Sequence, residues 1–189
     1  MMIAAIALVL GACGRKDKRM LHPGFPIVEG RYQMTDNWSV TLEQKYNRRL
    51  EDGSLVLWRP GVTIWTVVWN LKGAETSVDR YRSLKGDISP KAQDLVEETD
   101  GTVLKLAYRL NEESHDAREP AFYCFAVGPS GHVQMAIYFD DPNDVKTARA
   151  IWRSLTLVTA KSELSGAANG SQPFRSETNS TSPAAGSRR

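Results

Sequence analysis

The residues whose side chains could carry out chemistry are few and widely spaced in this chain. The three histidines are His22, His115 and His132. None has a partner at the short, fixed spacing of a metal site, and the HExxH and CxxC motifs are absent. His115 lies beside Glu112, Glu113 and Asp116, whose oxygens could bind a hard cation, although charge-rich loops are usually only solvated. The sequence therefore predicts no metal site and no cofactor.

Two side chains are candidate nucleophiles. Cys124 lies in the strand-like segment Phe122–Val127, where a free thiol is usually an inert part of the core. Ser130 lies in Gly128–Gly131, which has neither a P-loop lysine nor a G-x-S-x-G elbow. A nucleophilic serine would also need a histidine and an aspartate as neighbours. The sequence predicts no catalytic residue, and a hydrolase using Ser130, His132 or Cys124 is the third functional hypothesis.

A cluster of carboxylates is the remaining candidate for acid–base chemistry. Asp140 and Asp141 are adjacent, and Asp144 follows three residues later. Asp141 precedes Pro142, which is the pattern of a helix N-cap, and the helix dipole favours an aspartate such as Asp144 in the first turn. We therefore expect these carboxylates to stabilise a helix.

Three tryptophans occur close together in two successive predicted strands. Trp58 precedes Arg59, and Trp65 and Trp69 belong to the next strand, Val62–Trp69. Tryptophan and arginine are enriched at binding interfaces, so Trp58 and Arg59 are the predicted binding residues for a possible protein partner. The alternative is that the rings pack in the core. If Trp65 and Trp69 face one layer, Trp58 could face the other.

The N-terminal segment carries the most specific signal. Ile3–Ala12 is a run of ten uncharged residues. As a helix it would span about 15 Å, half of a bilayer core of about 30 Å, so it cannot be a transmembrane helix. It has the length of the apolar region of a signal peptide. The four residues Leu10-Gly11-Ala12-Cys13 resemble the lipobox of bacterial lipoprotein precursors.

The resemblance implies cleavage before Cys13 and acylation of its sulfur and new amino terminus, with fatty acids such as palmitate. It implies a membrane-anchored envelope protein, and Gly14 after the cysteine favours the outer membrane. No basic residue precedes the apolar run, whereas Arg15, Lys16, Lys18 and Arg19 follow Cys13. We therefore expect the true start to lie upstream. The alternative is a cytoplasmic protein that starts near Met20 or Met34.

Composition indicates one small domain that does not bind nucleic acid. The chain has 189 residues, 41% of them hydrophobic, and a net charge of +2. The basic excess lies in Gly14–Arg19 and in the tail after Ala160, and Met20–Ala160 is net acidic. A nucleic-acid-binding domain would instead concentrate basic charge on a folded face.

Residue patterns predict an α+β fold, an antiparallel sheet of about seven strands with two or three helices packed on it. Capping patterns at Thr76–Asp79 and Asp141-Pro142 begin two of the helices. The most apolar strand, Val62–Trp69, is expected to be central and covered on both faces. The predicted boundaries are a signal peptide at 1–12, a linker at 13–30, the domain at 31–160 and a disordered tail at 161–189.

The order of elements from Trp38 to Val158, closing with a helix at Ala148–Leu155, resembles the PsbP/DcrB-like α/β/α sandwich. That resemblance implies a binding or accessory role. The leading hypothesis is therefore a lipid-anchored envelope protein with a non-enzymatic binding or accessory domain. The second hypothesis is a cytoplasmic protein-interaction or inhibitor protein of the immunity type.

Overall fold

A computed structural model describes residues 21–111 and 119–158. These residues form nine strands and two helices. The strands are β1 (Ile27–Gln33), β2 (Trp38–Glu51), β3 (Ser54–Arg59), β4 (Val62–Asn70), β5 (Gln93–Asp100), β6 (Val103–Leu110), β7 (Ala121–Gly128), β8 (Gly131–Phe139) and β9 (Thr156–Leu157). The helices are α1 (Ser77–Gly86) and α2 (Val145–Arg153). The predicted signal peptide, the linker up to residue 20 and the tail at 161–189 lie outside the described residues.

All nine strands belong to one antiparallel sheet, in the order β1-β2-β3-β4-β8-β7-β6-β5. The central pairing of β4 with β8 joins the first four strands to the hairpins of the second half. β9 pairs with the first two residues of β2, Trp38 and Ser39. The α+β class and the antiparallel sheet are confirmed, but the described strands number nine rather than about seven.

Two strands that the sequence analysis did not predict account for the difference. β1 begins at Ile27, inside the segment predicted as linker, and most of its residues are exposed. Because it buries so little, it lacks the alternation of a half-buried strand. β9 has only two residues. In addition, the predicted strands Trp38–Leu42 and Tyr46–Leu50 are parts of the single strand β2, which has 14 residues.

The two outer strands of the sheet are both irregular. In β1 the register shifts between Val28 and Gly30, and in β5 it shifts between Gln93 and Val96. Gly30 and Asp94 adopt positive φ angles of 68° and 52° at these places. Across its shift β5 has one residue more than β6, which is a bulge in the outer strand, whereas across the other shift the extra residues are in β2, opposite β1.

The predicted capping residue Thr76 begins α1, whereas the predicted cap Asp141 begins a 3-10 turn that precedes α2. The Thr76 hydroxyl accepts a hydrogen bond from the backbone N–H of Asp79 at 3.2 Å, at the start of α1. The Asp141 carboxylate accepts one from the N–H of Asn143 at 2.9 Å, at the start of a 3-10 turn, Pro142–Asp144, that leads into α2. These side chains bond N–H groups that have no partner within a helix, as the capping patterns predicted.

The two helices pack on opposite sides of the sheet. On one side, here called the α2 face, Ala148, Ile151 and Trp152 of α2 contribute to the larger apolar core. The Trp152 indole N–H donates to the carbonyl of Phe125 in β7 at 3.1 Å. On the opposite side, the α1 face, α1 packs over β6 and β7. The residues of this smaller core include Tyr81, Leu84, Leu106, Tyr108 and Phe125.

The sheet curls around α2. On one side of the C-terminal end of α2, the Ser154 hydroxyl accepts from the backbone N–H of Thr41 in β2 at 2.9 Å. On the other side, the Lys105 ammonium in β6 donates to the Arg153 carbonyl at 2.6 Å. β2 and β6 are five strand spacings apart, about 24 Å in a flat sheet, and a helix is only about 10 Å wide. Both strands can reach one helix end only if the sheet bends around it.

We expect Trp152→Ala to lower the free energy of unfolding by about 3–5 kcal/mol, because it removes a fully buried ring and its hydrogen bond. The matched control is Trp69→Ala, which removes the same ring from an exposed position and should cost less than about 1 kcal/mol. Urea unfolding followed by circular dichroism measures both. Equal losses would contradict the role assigned to α2.

Candidate functional site

The end of the described chain nearest the predicted lipid site is held by Asn47, a buried residue of β2. Its side-chain oxygen accepts from the backbone N–H of His22 at 2.6 Å. Its amide nitrogen donates to the carbonyls of His22 and Phe25 at 2.9 and 3.2 Å. Cys13 itself lies outside the described residues. The chain that leads from Cys13 is therefore fixed to the sheet at His22.

Trp58, Trp65 and Trp69 all lie on the α1 face. The turn at Pro60-Gly61 pairs Arg59 with Val62, so Trp58 lies opposite Thr63 and on the same side as Trp65. The suggestion that Trp58 faces the other layer is therefore wrong. The central position of β4 is confirmed, but its coverage on both faces is not: Trp65 is half-buried and Trp69 is 49% exposed.

The surface that these tryptophans form continues onto the N-terminal segment held by Asn47. The rings of Phe25 and Trp58 pack edge to face, with their centroids 4.9 Å apart. The Arg49 guanidinium lies 4.8 Å from the centroid of the Trp58 ring. Ile27 is exposed and pairs with Asn47 in the row of residues that includes Trp58. We call this set of residues the aromatic surface: Phe25, Ile27, Trp58, Trp65 and Trp69.

Arg59 points to the opposite side of the sheet from Trp58. Its guanidinium donates to the Asp144 carboxylate at 2.7 Å, just before α2 begins. It also lies over the ring of Tyr46, 5.9 Å from the centroid. Burial raises the pKa of the Tyr46 phenol, and the charge of Arg59 partly opposes this rise. The two predicted binding residues are chain neighbours that do not form one site.

The candidate nucleophiles and His132 also lie in different parts of the sheet. Cys124 is fully buried on the α2 face, and burial raises the pKa of its thiol. Ser130 lies in the two-residue turn between Gly128 and Gly131, and its buried hydroxyl has no hydrogen-bond partner. A Cβ on Gly131 would collide with the carbonyl oxygen of Trp69, so the close approach of β4 requires glycine at this position. His132, on the α1 face, is on the side away from Cys124.

His132 is 3% exposed, and its Nδ1 atom has no hydrogen-bond partner. Its ring stacks on Trp69, with the centroids 6.3 Å apart. Burial is the main cause that lowers the pKa of His132 to about 4. The charge of Arg80 lowers this pKa further, and Glu75, the ion-pair partner of Arg80, opposes the effect. His132 is therefore neutral at pH 7.

Asp141 has the capping role that was expected, although it caps the 3-10 turn. Asp144 precedes α2 and pairs with Arg59, a contact that the sequence did not predict. The loop residues Glu112, Glu113, His115 and Asp116 lie outside the described residues. Within residues 21–111 and 119–158, no group of three or more His, Cys, Asp or Glu side chains could hold a metal ion.

Two buried polar residues, Asn47 and Lys105, were not predicted. Lys105 is buried on the α2 face, and its ammonium contacts both the Arg153 carbonyl and the Asp100 carboxylate, at 2.6 and 3.3 Å. A cation at the C-terminal end of α2 is favoured by the helix dipole. Its position between Leu104 and Leu106 in an alternating strand indicated a solvent-facing residue, so the sequence held no signal for its role.

We expect a pH-dependent loss of stability that His132 causes. Its pKa of about 4 lies below the value of about 6.5 for an unfolded histidine, so the unfolded chain binds more protons between these values. The free energy of unfolding should fall as the pH falls through this window, by about 3 kcal/mol at most. His132→Phe keeps a ring on Trp69 and should remove this component.

Urea unfolding of wild type and of His132→Phe at about pH 7 and about pH 4.5 measures the effect. Carboxylates titrate in both proteins, so the part of the pH dependence that wild type shows and His132→Phe lacks belongs to His132. A wild-type pH dependence that persists in His132→Phe would rule out this origin.

Removal of Arg59 should destabilise the fold, because it leaves the mostly buried Asp144 carboxylate without its partner. We expect Arg59→Ala to lower the free energy of unfolding by about 1–3 kcal/mol. Arg82→Ala is the control: its pair with Asp79 is exposed to solvent, so its loss should leave the free energy of unfolding nearly unchanged. Thermal and urea unfolding provide the comparison, and losses of similar size would show that Arg59 has no structural role.

Neither helix among the described residues combines the length and apolar character that a membrane span requires. Comparison of the chain with protein-family models, with curated proteins and with solved structures found no match in any of the three.

Proposed function

We propose that this protein is a lipid-anchored protein of the cell envelope, attached through Cys13, whose folded domain is a non-enzymatic binding or accessory module. The observation that carries the proposal is Leu10-Gly11-Ala12-Cys13 at the end of a ten-residue apolar run. Gly14 after the cysteine favours the outer membrane. Two or more acyl chains on one residue are enough for stable anchoring without a transmembrane helix.

The geometry of the described residues supports a binding role more than a catalytic one. The aromatic surface presents large, partly exposed rings on a rigid sheet, which is the chemistry of an interface. By contrast, Cys124 and His132 lie on opposite faces, and Asp141 and Asp144 are occupied by capping and pairing. A hydrolase therefore gains no support from these residues.

The alternative, a cytoplasmic interaction or inhibitor protein, is motivated by the basic residues that follow Cys13. A start at Met34 would remove β1, which pairs with β2 along most of its length. A start at Met20 would keep β1 and the hydrogen bonds between Asn47 and His22. Met20 is therefore the start site that this alternative requires.

Metabolic labelling with an alkyne analogue of palmitate tests the proposal. We expect the wild-type protein to be labelled and to sediment with membranes, and its mature N-terminus to have the mass of acylated Cys13. Cys13→Ala should abolish the label and release the protein to the soluble fraction, because it removes the only sulfur at the cleavage site.

Cys124→Ala is the matched control. It removes the other cysteine of the chain, whose thiol is buried, and should leave both labelling and membrane fractionation unchanged. An unlabelled wild-type protein, or a Cys13→Ala variant that still fractionates with membranes, would refute the lipid anchor.

A further inference from the structure

We infer that the aromatic surface docks on the lipid bilayer to which Cys13 is anchored, so that the α1 face of the domain lies against the headgroups. The inference rests on the proposed lipid attachment at Cys13. It adds an orientation and a second membrane contact, which the anchor alone does not require.

The first argument is the length and end point of the tether. His22 is nine residues after Cys13, so the chain between them spans about 30 Å even when fully extended. A domain of this size is roughly 35 Å across. Because Asn47 fixes His22 on the α1 face, the tether ends on this side of the domain and holds it within about 30 Å of the bilayer. The opposite face can approach the lipid only by wrapping the tether around the domain.

The second argument is the chemistry of the side chains at this end point. Phe25 packs on Trp58 immediately after the turn that Asn47 holds, and exposed Ile27 follows. Trp69, at 49% exposure, lies further along β4 on the same face. Tryptophan is favoured at the boundary between lipid and water, because its ring is apolar and its N–H can still bond headgroups or water.

The third argument is charge. Arg15, Lys16, Lys18 and Arg19 stand between Cys13 and the folded domain, with only Asp17 as an opposing charge. Basic residues next to a bilayer are attracted by anionic lipid headgroups. This attraction acts on the tether itself, so it draws the α1 face towards the lipid and shortens the distance that docking must close.

A weak contact is sufficient once the anchor is in place. A short tether converts docking into an intramolecular event with an effective concentration in the millimolar range. A few interfacial rings can therefore hold the domain against the membrane, even though the same surface would not bind vesicles without the acyl chains.

Fluorescence quenching tests the orientation in the full-length, acylated protein. The protein is reconstituted in vesicles of phosphatidylethanolamine and phosphatidylglycerol, with or without a nitroxide on the headgroup. Trp58, Trp65 and Trp69 lie on the α1 face, whereas Trp38 and Trp152 are buried in the α2-face core. The lipid-borne nitroxide should therefore quench roughly half of the emission if docking places this face at the interface.

Two substitutions of one residue separate docking from the loss of a fluorophore. Trp69→Phe removes the indole but keeps an aromatic ring, and Trp58 and Trp65 should still be quenched. Trp69→Ser removes the ring, and quenching of Trp58 and Trp65 should fall by about twofold or more. Leu95→Ser, at the opposite edge of the sheet and with a similar exposure of 48%, should behave as wild type.

The outcomes distinguish this inference from the proposed function. Protein that is not acylated and does not remain on the vesicles refutes the anchor at Cys13. Acylated, retained protein whose emission is insensitive to the lipid-borne nitroxide refutes the docking and leaves the anchor intact. If such protein is also protected from an aqueous quencher, another protein or a second copy covers the aromatic surface, which also overturns the docking.

Discussion

Burial of Trp152 between α2 and the sheet is the contact on which the rest of the structure depends. The ring lies in the main core, and its N–H is satisfied by a carbonyl of β7. Strands from both halves of the sheet bend to reach the same helix end, through Thr41 on one side and Lys105 on the other. The convex α1 face becomes wider as a result, and α1, a helix about 15 Å long, packs over β6 and β7 and bonds Glu97 of β5. The partial exposure of Trp58 and Trp65 and the exposure of Trp69 are thus a consequence of the curl.

Local features of this fold could be predicted from the sequence, because they depend on residues close together in the chain. Thr76 caps α1, Asp141 caps the 3-10 turn that leads into α2, and the hairpin of β7 and β8 forms around Gly128–Gly131. The side of the sheet on which Trp58 lies could also have been predicted. A two-residue turn at Pro60-Gly61 pairs its flanking residues and so determines which positions of β3 and β4 share a face.

Other features depend on contacts between distant parts of the chain, and the sequence holds no signal for them. Nothing in the sequence around Asn47 marks its role, because the groups that it bonds, in His22 and Phe25, lie more than twenty residues earlier in the chain. His132 lies in a strand near a turn, and its shifted pKa arises only because the fold buries it and brings Arg80 close. Conversely, the signal for lipid attachment at Cys13 is a linear motif, so the sequence alone can support it.

The irregular pairing of the two outer strands has a consequence under the lipid anchoring proposed above. Such anchoring would confine many copies to a thin layer, where regular outer strands could add to one another and build extended sheets. The breaks at Val28/Gly30 and Gln93/Val96 interrupt the hydrogen-bonding pattern that such polymerisation needs. Crowded copies are thereby left to meet through their faces rather than their edges.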